Sequence, residues 1–252
     1  ADFRRTVFQS QMECVDVGFL ANILENHDEP RGNSRFLPEY AQNEQGTKIL
    51  GTISVLLRGL PFLYQGQEIG MTNCPMDSVE EYNDINTRNE YALARSVGLS
   101  NEEALQVCCR FSRDNGRTPM QWDDSPNGGF TSGKPWLKVN PNYPSVNVAC
   151  QESKPDSVLN YYKKLISLRK SENYRELFTY GDFVPAYERE DLIFAYRRVL
   201  EEKEVLVIAN FDAKTRTLEN IPQGKQVLLS NGEVCQEAGK LHLQPSQVVV
   251  LG

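Results

Sequence analysis

The strongest constraint on the fold is a strand–helix–strand pattern near the start of the chain. Residues 19–25 (FLANILE) are short and mostly apolar, which predicts a buried strand. Residues 46–58 carry apolar side chains at helical spacing, and Gly59 and Pro61 follow where such a helix would stop. Residues 61–71 (PFLYQGQEIGM) predict a second buried strand that runs into a glycine-containing loop. This order is that of a βαβ unit, which requires two parallel strands and a right-handed crossover.

The middle of the chain has a different character. Residues 73–152 contain several turns rich in Gly and Pro and few long apolar stretches. We therefore expect a long excursion, a feature that is usually functional inside a compact domain. Within it, residues 100–111 predict a helix. Ser100 is its predicted N-cap, and Glu103, three residues later, completes a capping box.

The last third of the chain changes from a helical to a strand-like pattern. Residues 156–170 (DSVLNYYKKLISLRK) predict an amphipathic helix with Asp156 as its N-cap. After residue 172, short β-rich runs alternate with polar turns. Residues 173–252 therefore predict an antiparallel β domain of about 80 residues, which is within the usual size range of domains.

Charge and hydropathy argue against two classes of partner, nucleic acids and membranes. The 252 residues carry a formal net charge of −7, which argues against a nucleic-acid partner because phosphates require a basic surface. No apolar run approaches the ~20 residues of a membrane-spanning helix. Residues 1–15 also lack the apolar region of a signal peptide. We therefore expect neither a nucleic-acid nor a membrane partner.

The cysteine pattern bears on compartment and on metal binding. Six cysteines are scattered along the chain without a CxxC pair, and there are only two histidines. This pattern argues against a zinc site, and we expect no metal and no cofactor. Scattered cysteines in a chain of this length are typical of reduced thiols in a cytoplasmic protein, although spacing alone leaves disulfides open.

A polar cluster, Asn26-His27-Asp28, follows the first predicted strand. In one interpretation Asp28 caps the next helix and His27 is a hydrogen-bonded loop residue. In the other, the cluster lies at the carboxyl end of a barrel strand, where catalytic groups are found. Asp28 would then stabilise positive charge on a sugar ring, and His27 would donate a hydrogen bond to a sugar hydroxyl.

The cluster is not isolated in the sequence. It belongs to a series of segments that are, in chain order, ENHDEPR (25–31), SRF (34–36), FLYQGQEIGMTN (62–73), SRDNGRTPMQWDD (112–124) and GGFTSGKPWLKVNPNY (128–143). In order and spacing, the series resembles the oligo-1,6-glucosidase and α-glucosidase branch of the α-amylase superfamily, glycoside hydrolase family 13. Four long motifs in the same order make this resemblance specific.

The resemblance implies an α/β fold, namely the C-terminal part of a (β/α)8 TIM barrel followed by an all-β sandwich domain. The barrel units and their long excursion would cover residues 1–172, and the sandwich would cover residues 173–252. A complete barrel takes about 250 residues, so the first part has room for only the last few units. Residues 161–170 (YYKKLISLRK) resemble the last barrel helix of the family.

The resemblance also implies roles for particular residues in a retaining hydrolase with an oxocarbenium-like transition state. Asp28 would be the third carboxylate, which binds the hydroxyls of the sugar being cleaved and distorts its ring. His27 would bind the same sugar. Arg113 would contact the sugar hydroxyls through its planar fork of donors, although a structural ion pair inside the excursion is the alternative. Glu68 would line the leaving-group side.

Other residues of these motifs have predicted structural roles. Arg31 and Arg117 are expected to hold loops in place. Trp122 and Trp136 are candidates for sugar platforms, but buried packing is the favoured interpretation. Gln67 stands where many relatives carry Glu, which is a small departure from the family pattern.

A larger departure is that no segment resembles the family's nucleophilic Asp or acid/base Glu. Those residues are expected on strands N-terminal to residue 1, so we predict a C-terminal fragment of an α-glucosidase that acts on oligosaccharides and is inactive alone. A carbohydrate-binding or ancillary interaction protein is the alternative outside catalysis. Trehalose-6-phosphate hydrolase and sucrose isomerase are alternatives within the family. Because an open piece of barrel exposes strand edges, we also expect a homo-oligomer.

Overall fold

The computed structural model describes residues 2–15 and 17–252. Its α-helices are α1 Asp2–Glu13, α2 Gly32–Phe36, α3 Glu44–Leu56, α4 Ile85–Ser96, α5 Asn101–Phe111, α6 Asp114–Arg117, α7 Val148–Glu152, α8 Val158–Lys170 and α9 Arg175–Tyr180. Its strands are β1 Ala21–Ile23, β2 Leu60–Phe62, β3 Asp182–Ala186, β4 Ile193–Leu200, β5 Lys203–Asn210, β6 Arg216–Leu218, β7 Val227–Ser230, β8 Cys235–Glu237, β9 Lys240–Leu243 and β10 Val248–Leu251. Short 3-10 helices occupy Glu39–Ala41, Gln67–Ile69, Val79–Glu81 and Pro126–Gly129.

The chain forms two compact units. One comprises Ala1–Ile23, Tyr40–Phe62 and Tyr161–Gly252, and the other comprises Leu24–Glu39 and Leu63–Asn160. The predicted boundary between residues 172 and 173 stays a prediction. None of the helices among the described residues is long and apolar enough to cross a membrane.

The predicted strand–helix–strand order with two parallel strands is confirmed. The prediction that both strands are buried is wrong, because Ile23, Leu60 and Phe62 are 49%, 60% and 51% exposed. Strands β1 and β2 pair in parallel, with Ala21 opposite Leu60, and α3 connects them in the sequence. The strands are shorter than predicted, at three residues each. Helix α3 begins where the Asn43 side chain accepts hydrogen bonds from the next turn, an N-cap that satisfies otherwise free amides.

Helix α8 is confirmed as an amphipathic helix, but its predicted N-cap is wrong. The helix begins at Val158, and the Ser157 hydroxyl accepts a hydrogen bond from the Asn160 amide at 3.2 Å. This is the N-cap geometry, so the cap lies one residue after Asp156. Tyr162 of this helix lies against Gly51 of α3, where a β-carbon would come within 2.6 Å of the tyrosine ring.

The C-terminal strands form two antiparallel sheets. One has five strands in the order β3-β4-β5-β10-β7, and the other has three strands in the order β6-β9-β8. Alternate side chains of β4, β5 and β10 pack against those of β6 and β9 and against Ile221, which lies between strands. This one buried core comprises Ile193, Ala195, Leu206, Ile208, Leu218, Ile221, Leu241, Leu243, Val249 and Leu251. A two-sheet arrangement with alternating buried residues is a β-sandwich. The predicted fold class is therefore confirmed.

The excursion is more ordered than its sequence suggested. Helix α5 is present with Ser100 as N-cap, and both hydrogen bonds of the predicted capping box form. Helices α4, α6 and α7 were not predicted. Helix α4 buries only Thr87 and Ala94, so its apolar pattern is weak. The excursion is thus a folded unit rather than a long irregular loop.

Candidate active site

The loop that carries His27 and Asp28 has a defined local geometry. The Asn26 side chain accepts a hydrogen bond from the Asp28 amide at 2.7 Å, which turns the chain three residues after the end of β1. The side chains of both candidate residues are accessible, with exposed fractions of 69% for His27 and 53% for Asp28. Asp28 does not cap the next helix, because α2 begins at Gly32 with Arg31 in the N-cap position. The helix-cap interpretation of Asp28 is therefore wrong.

Three cationic or potentially cationic groups surround the Asp28 carboxylate. His27 Nε2 lies 3.2 Å from Asp28 Oδ2. Arg117 donates a hydrogen bond from Nη2 to Oδ1 at 3.0 Å, and Arg113 Nη1 lies 3.6 Å from the same oxygen. The structure thus brings together three of the four predicted site residues and adds Arg117.

Arg113 is fixed mainly by a carboxylate that sequence reasoning did not assign to the site. Its Nε and Nη2 atoms donate to the two oxygens of Asp84, at 3.3 Å and 2.5 Å. Burial alone would raise the pKa of Asp84, but hydrogen bonds from Arg113 and Thr87 hold that pKa below its usual range. The pair with Asp84 also raises the pKa of Arg113. The predicted alternative, an ion pair inside the excursion, is therefore present, while the remaining nitrogen, Nη1, faces Asp28.

Arg117 holds loops in place, as predicted, and also contacts Asp28. It donates from Nε to the His27 carbonyl at 2.8 Å and lies 3.5 Å from the fully buried Asp114 carboxylate. Arg113 and Arg117 are four residues apart around helix α6, and this spacing places side chains on one helical face. That spacing is the sequence signal that could have indicated a shared role.

Gly116 lets the α6 segment approach the His27–Asp28 loop closely. A β-carbon at this position would lie 2.7 Å from the Asn26 carbonyl oxygen and 2.8 Å from the Glu29 carbonyl oxygen. Because both contacts are with backbone, they cannot be relieved by moving a side chain. The glycine therefore permits Arg113 and Arg117 to reach Asp28.

Glu68 does not join this cluster. Its Oε2 accepts a hydrogen bond from the Gly66 amide at 2.8 Å, so the carboxylate is engaged by its own turn. Trp122 and Trp136 are 50% and 66% exposed. The favoured prediction of buried packing for the two tryptophans is therefore wrong, because each residue is at least half exposed.

Comparison with known proteins identifies the family. Residues 1–181 match the family of α-amylase catalytic domains, and residues 193–250 match the C-terminal domain of the α-amylase SusG. The chain belongs to the α-amylase family. Its catalytic-domain segment contains the Asp28 cluster, and the second matched segment contains most of the β-sandwich.

Several members of this family resemble the chain closely. It is 39% identical to the oligo-1,6-glucosidase of Parageobacillus thermoglucosidasius, over 97% of this chain and 44% of that protein. The solved structure of Bacillus licheniformis trehalose-6-phosphate hydrolase has a TM-score of 0.90 and 32% identity, covering 99% of this chain and 46% of that one. A trehalulose synthase structure has a TM-score of 0.89 and 36% identity, with the same coverage. The chain spans less than half the length of these relatives.

Proposed function

We propose that the chain is the C-terminal part of a retaining α-glucosidase of the oligo-1,6-glucosidase type, which hydrolyses terminal α-linked glucose from short oligosaccharides. The observation that carries the proposal is the Asp28 cluster, an exposed carboxylate held between His27 and two arginines. The likeness to oligo-1,6-glucosidases over most of the chain supports the same activity.

In this proposal Asp28 binds the sugar rather than attacking it. Arg117 and His27 fix the carboxylate, yet about half of its surface remains free to accept hydrogen bonds from two neighbouring sugar hydroxyls. Such bonds strengthen as the ring flattens toward an oxocarbenium ion. His27 binds a hydroxyl of the same sugar, and Arg113 adds a donor through Nη1.

The bond-breaking groups would come from outside this chain. An acid protonates the glycosidic oxygen while a carboxylate attacks the anomeric carbon, which gives a covalent glycosyl-enzyme that water then hydrolyses. Glu68 is proposed to line the leaving-group side. We further propose a cytoplasmic location, which the six free cysteines support.

The decisive experiment is Asp28→Asn in the longer protein. We expect kcat/KM for p-nitrophenyl α-glucoside to fall on the order of a thousandfold, because the transition state loses charge-assisted bonds worth several kcal/mol. The circular dichroism spectrum should not change. Asp77→Asn is the matched control, since Asp77 is 84% exposed and pairs with Lys138. Near-normal turnover by the Asp28 variant would remove this residue from the site.

The isolated chain tests whether the proposed bond-breaking groups lie in another segment of the protein. Because the proposed nucleophile and acid lie outside it, we expect no turnover of p-nitrophenyl α-glucoside by the pure 252-residue chain. A parallel purification from cells that do not express the chain separates contamination from intrinsic activity. Turnover that co-purifies with the chain would contradict the assignment of both groups to another segment.

A non-catalytic carbohydrate-binding protein is the second candidate function, and the exposure of Trp122 and Trp136 favours it. Stacking of a sugar on an aromatic ring would alter the ring's fluorescence. These are the only two tryptophans in the sequence, so tryptophan emission reports on them alone. Saturable quenching of the isolated chain by isomaltotriose, lost in Trp122→Phe or Trp136→Phe, would support this candidate.

Within the family, trehalose-6-phosphate hydrolase and sucrose isomerase remain alternative activities. A sugar phosphate requires a cation that is not already neutralised. Arg113 is paired with Asp84, and Arg117 is paired with Asp28 and Asp114. Because both arginines are already paired with carboxylates, the Asp28 cluster favours a neutral sugar. Product analysis of the longer protein with isomaltose, trehalose 6-phosphate and sucrose separates the three activities.

A further inference from the structure

A buried ion pair links the two ends of the loop that presents His27 and Asp28. Arg31 and Glu25 have side chains that are 0% and 4% exposed, and Arg31 Nη1 lies 3.3 Å from Glu25 Oε2. The other carboxylate oxygen, Oε1, accepts a hydrogen bond from the Gly32 amide at 2.9 Å. Glu25 therefore closes a short loop, and His27 and Asp28 lie between its two ends in the sequence.

The fit around this pair is tight. A β-carbon on Gly32 would lie 2.9 Å from Glu25 Oε1, and one on Gly66 would lie 3.0 Å from Arg31 Nη1. Glycines at both positions thus give the two charged side chains room to meet. Such close packing makes the position of the pair specific rather than adjustable.

Arg31 also ties this loop to two other segments of the site. It donates from Nη1 to the Gln65 carbonyl at 2.7 Å and from Nε to the Asn115 carbonyl at 3.1 Å. Gln65 lies three residues before Glu68, and Asn115 lies between Arg113 and Arg117 in helix α6. One guanidinium therefore bonds the loop of Asp28, the loop of Glu68 and the helix of the two arginines.

From these contacts we infer that Glu25 and Arg31 are positioning residues, which set the placement of His27 and Asp28 relative to Arg113 and Arg117 without touching the sugar. The role of the loop in binding a sugar rests on the proposed function. The way in which Glu25 and Arg31 hold the loop does not. Among the described residues, Glu25 is the only carboxylate that pairs with Arg31. Removing either partner leaves a buried charge without its counter-charge.

Nuclear magnetic resonance of the isolated chain tests this role directly. The sequence has two histidines, so its spectrum contains two sets of histidine ring signals. His27 reports on the loop, and His242, bonded to Thr217 at 2.9 Å in the β-sandwich, is an internal reference. We expect Glu25→Gln and Arg31→Lys each to shift or broaden the His27 signals and to leave those of His242 unchanged. Glu25→Gln keeps the side-chain shape, and Arg31→Lys keeps the charge but loses the planar fork.

Glu29→Gln is the matched control, because Glu29 lies in the same loop but pairs with Arg35 at the surface. It should perturb the His27 signals far less than Glu25→Gln does. Unchanged His27 signals in both Glu25→Gln and Arg31→Lys would overturn the inference. So would equal changes at His27 and His242, since these would indicate a general loss of structure.

Kinetics of the longer protein provide a second readout. A misplacement of about 1 Å can cost roughly a hundredfold in rate, so we expect kcat to fall ten- to a hundredfold in Glu25→Gln, with a smaller change in KM. A normal kcat would contradict the positioning role. If the unmodified longer protein has no glucosidase activity, the proposed function fails, whereas the histidine signals still decide the role of the ion pair.

Discussion

The two arginines that lie near Asp28 are each held by a buried aspartate. Asp84 is almost fully buried, with a side chain that is 4% exposed, and it accepts hydrogen bonds from Nε and Nη2 of Arg113. Asp114 is fully buried, accepts hydrogen bonds from the amides of Asn83 and Asp84, and pairs with Arg117. Each arginine near Asp28 is therefore held by an aspartate, so removal of either aspartate should affect Asp28 indirectly.

The depressed pKa of Asp84 gives a prediction with a definite sign. A carboxylate whose folded-state pKa lies below its unfolded value near 3.8 stabilises the fold above that pH, and this contribution is lost as the pH falls through the folded-state pKa. We expect Asp84→Asn to lower the free energy of unfolding at pH 7 by about 1–3 kcal/mol. It should also make the loss of stability below pH 4 less steep.

Urea unfolding across this pH range measures both effects, with the exposed Asp77→Asn as control. Parallel pH profiles for Asp84→Asn and the unmodified chain would contradict the prediction.

At the scale of helices and strands, sequence periodicity predicted the elements that bury a regular apolar face. Helix α3 buries eleven of its thirteen residues, and helix α8 and strands β4, β5 and β10 are likewise strongly apolar. Helix α4 was missed because it buries only two residues. Strands β6, β8 and β9 carry a weaker sequence signal than β10, because each contains polar or charged residues whereas all four residues of β10 are apolar.

The candidate site was less predictable from the sequence than the helices and strands. His27 and Asp28 could be proposed from their place after a strand, but Asn-His-Asp alone is also compatible with a helix cap. Arg113 could be proposed only through resemblance to a family. The spacing of Arg113 and Arg117 indicates a shared helical face, but the contact of Arg117 with Asp28 depends on how α6 packs against the loop through Gly116, which the sequence does not specify. The pairing of Asp84 with Arg113 spans twenty-nine residues of the excursion, which showed little periodicity.

The packing of α3 against α8 gives a prediction at this scale. Replacing a helical glycine with alanine normally stabilises a helix by up to about 1 kcal/mol. At Gly51, however, the new methyl group would lie 2.6 Å from a ring carbon of Tyr162, which is 2% exposed and has little room to move. Overpacking of this kind costs about 1–3 kcal/mol, so we expect Gly51→Ala to be destabilising.

Gly133→Ala is the control, since its nearest contact would be 3.7 Å away. Chemical denaturation compares the two, and a Gly51→Ala variant more stable than the unmodified chain would show that the Tyr162 ring can move aside.

The two-stranded sheet of β1 and β2 exposes apolar side chains to solvent. Ile23, Leu60 and Phe62 are 49%, 60% and 51% exposed. A two-stranded sheet is marginally stable in water, and its unpaired edges readily accept further strands. The net charge of −7 opposes association only weakly at physiological ionic strength, where charges are screened beyond about 8 Å.

Self-association through this sheet is therefore the expected behaviour of the isolated chain. We expect the mass measured by light scattering to rise above 28.6 kDa as the protein concentration increases. The double variant Leu60→Lys/Phe62→Lys should shift the chain toward the monomer, because lysines on an edge strand disfavour pairing with another chain. Val227→Lys is the matched control, as Val227 is a similarly exposed residue, 46%, on strand β7 of the sandwich. A monomer at all concentrations, or equal effects of the two kinds of variant, would exclude the β1–β2 sheet as the surface of association.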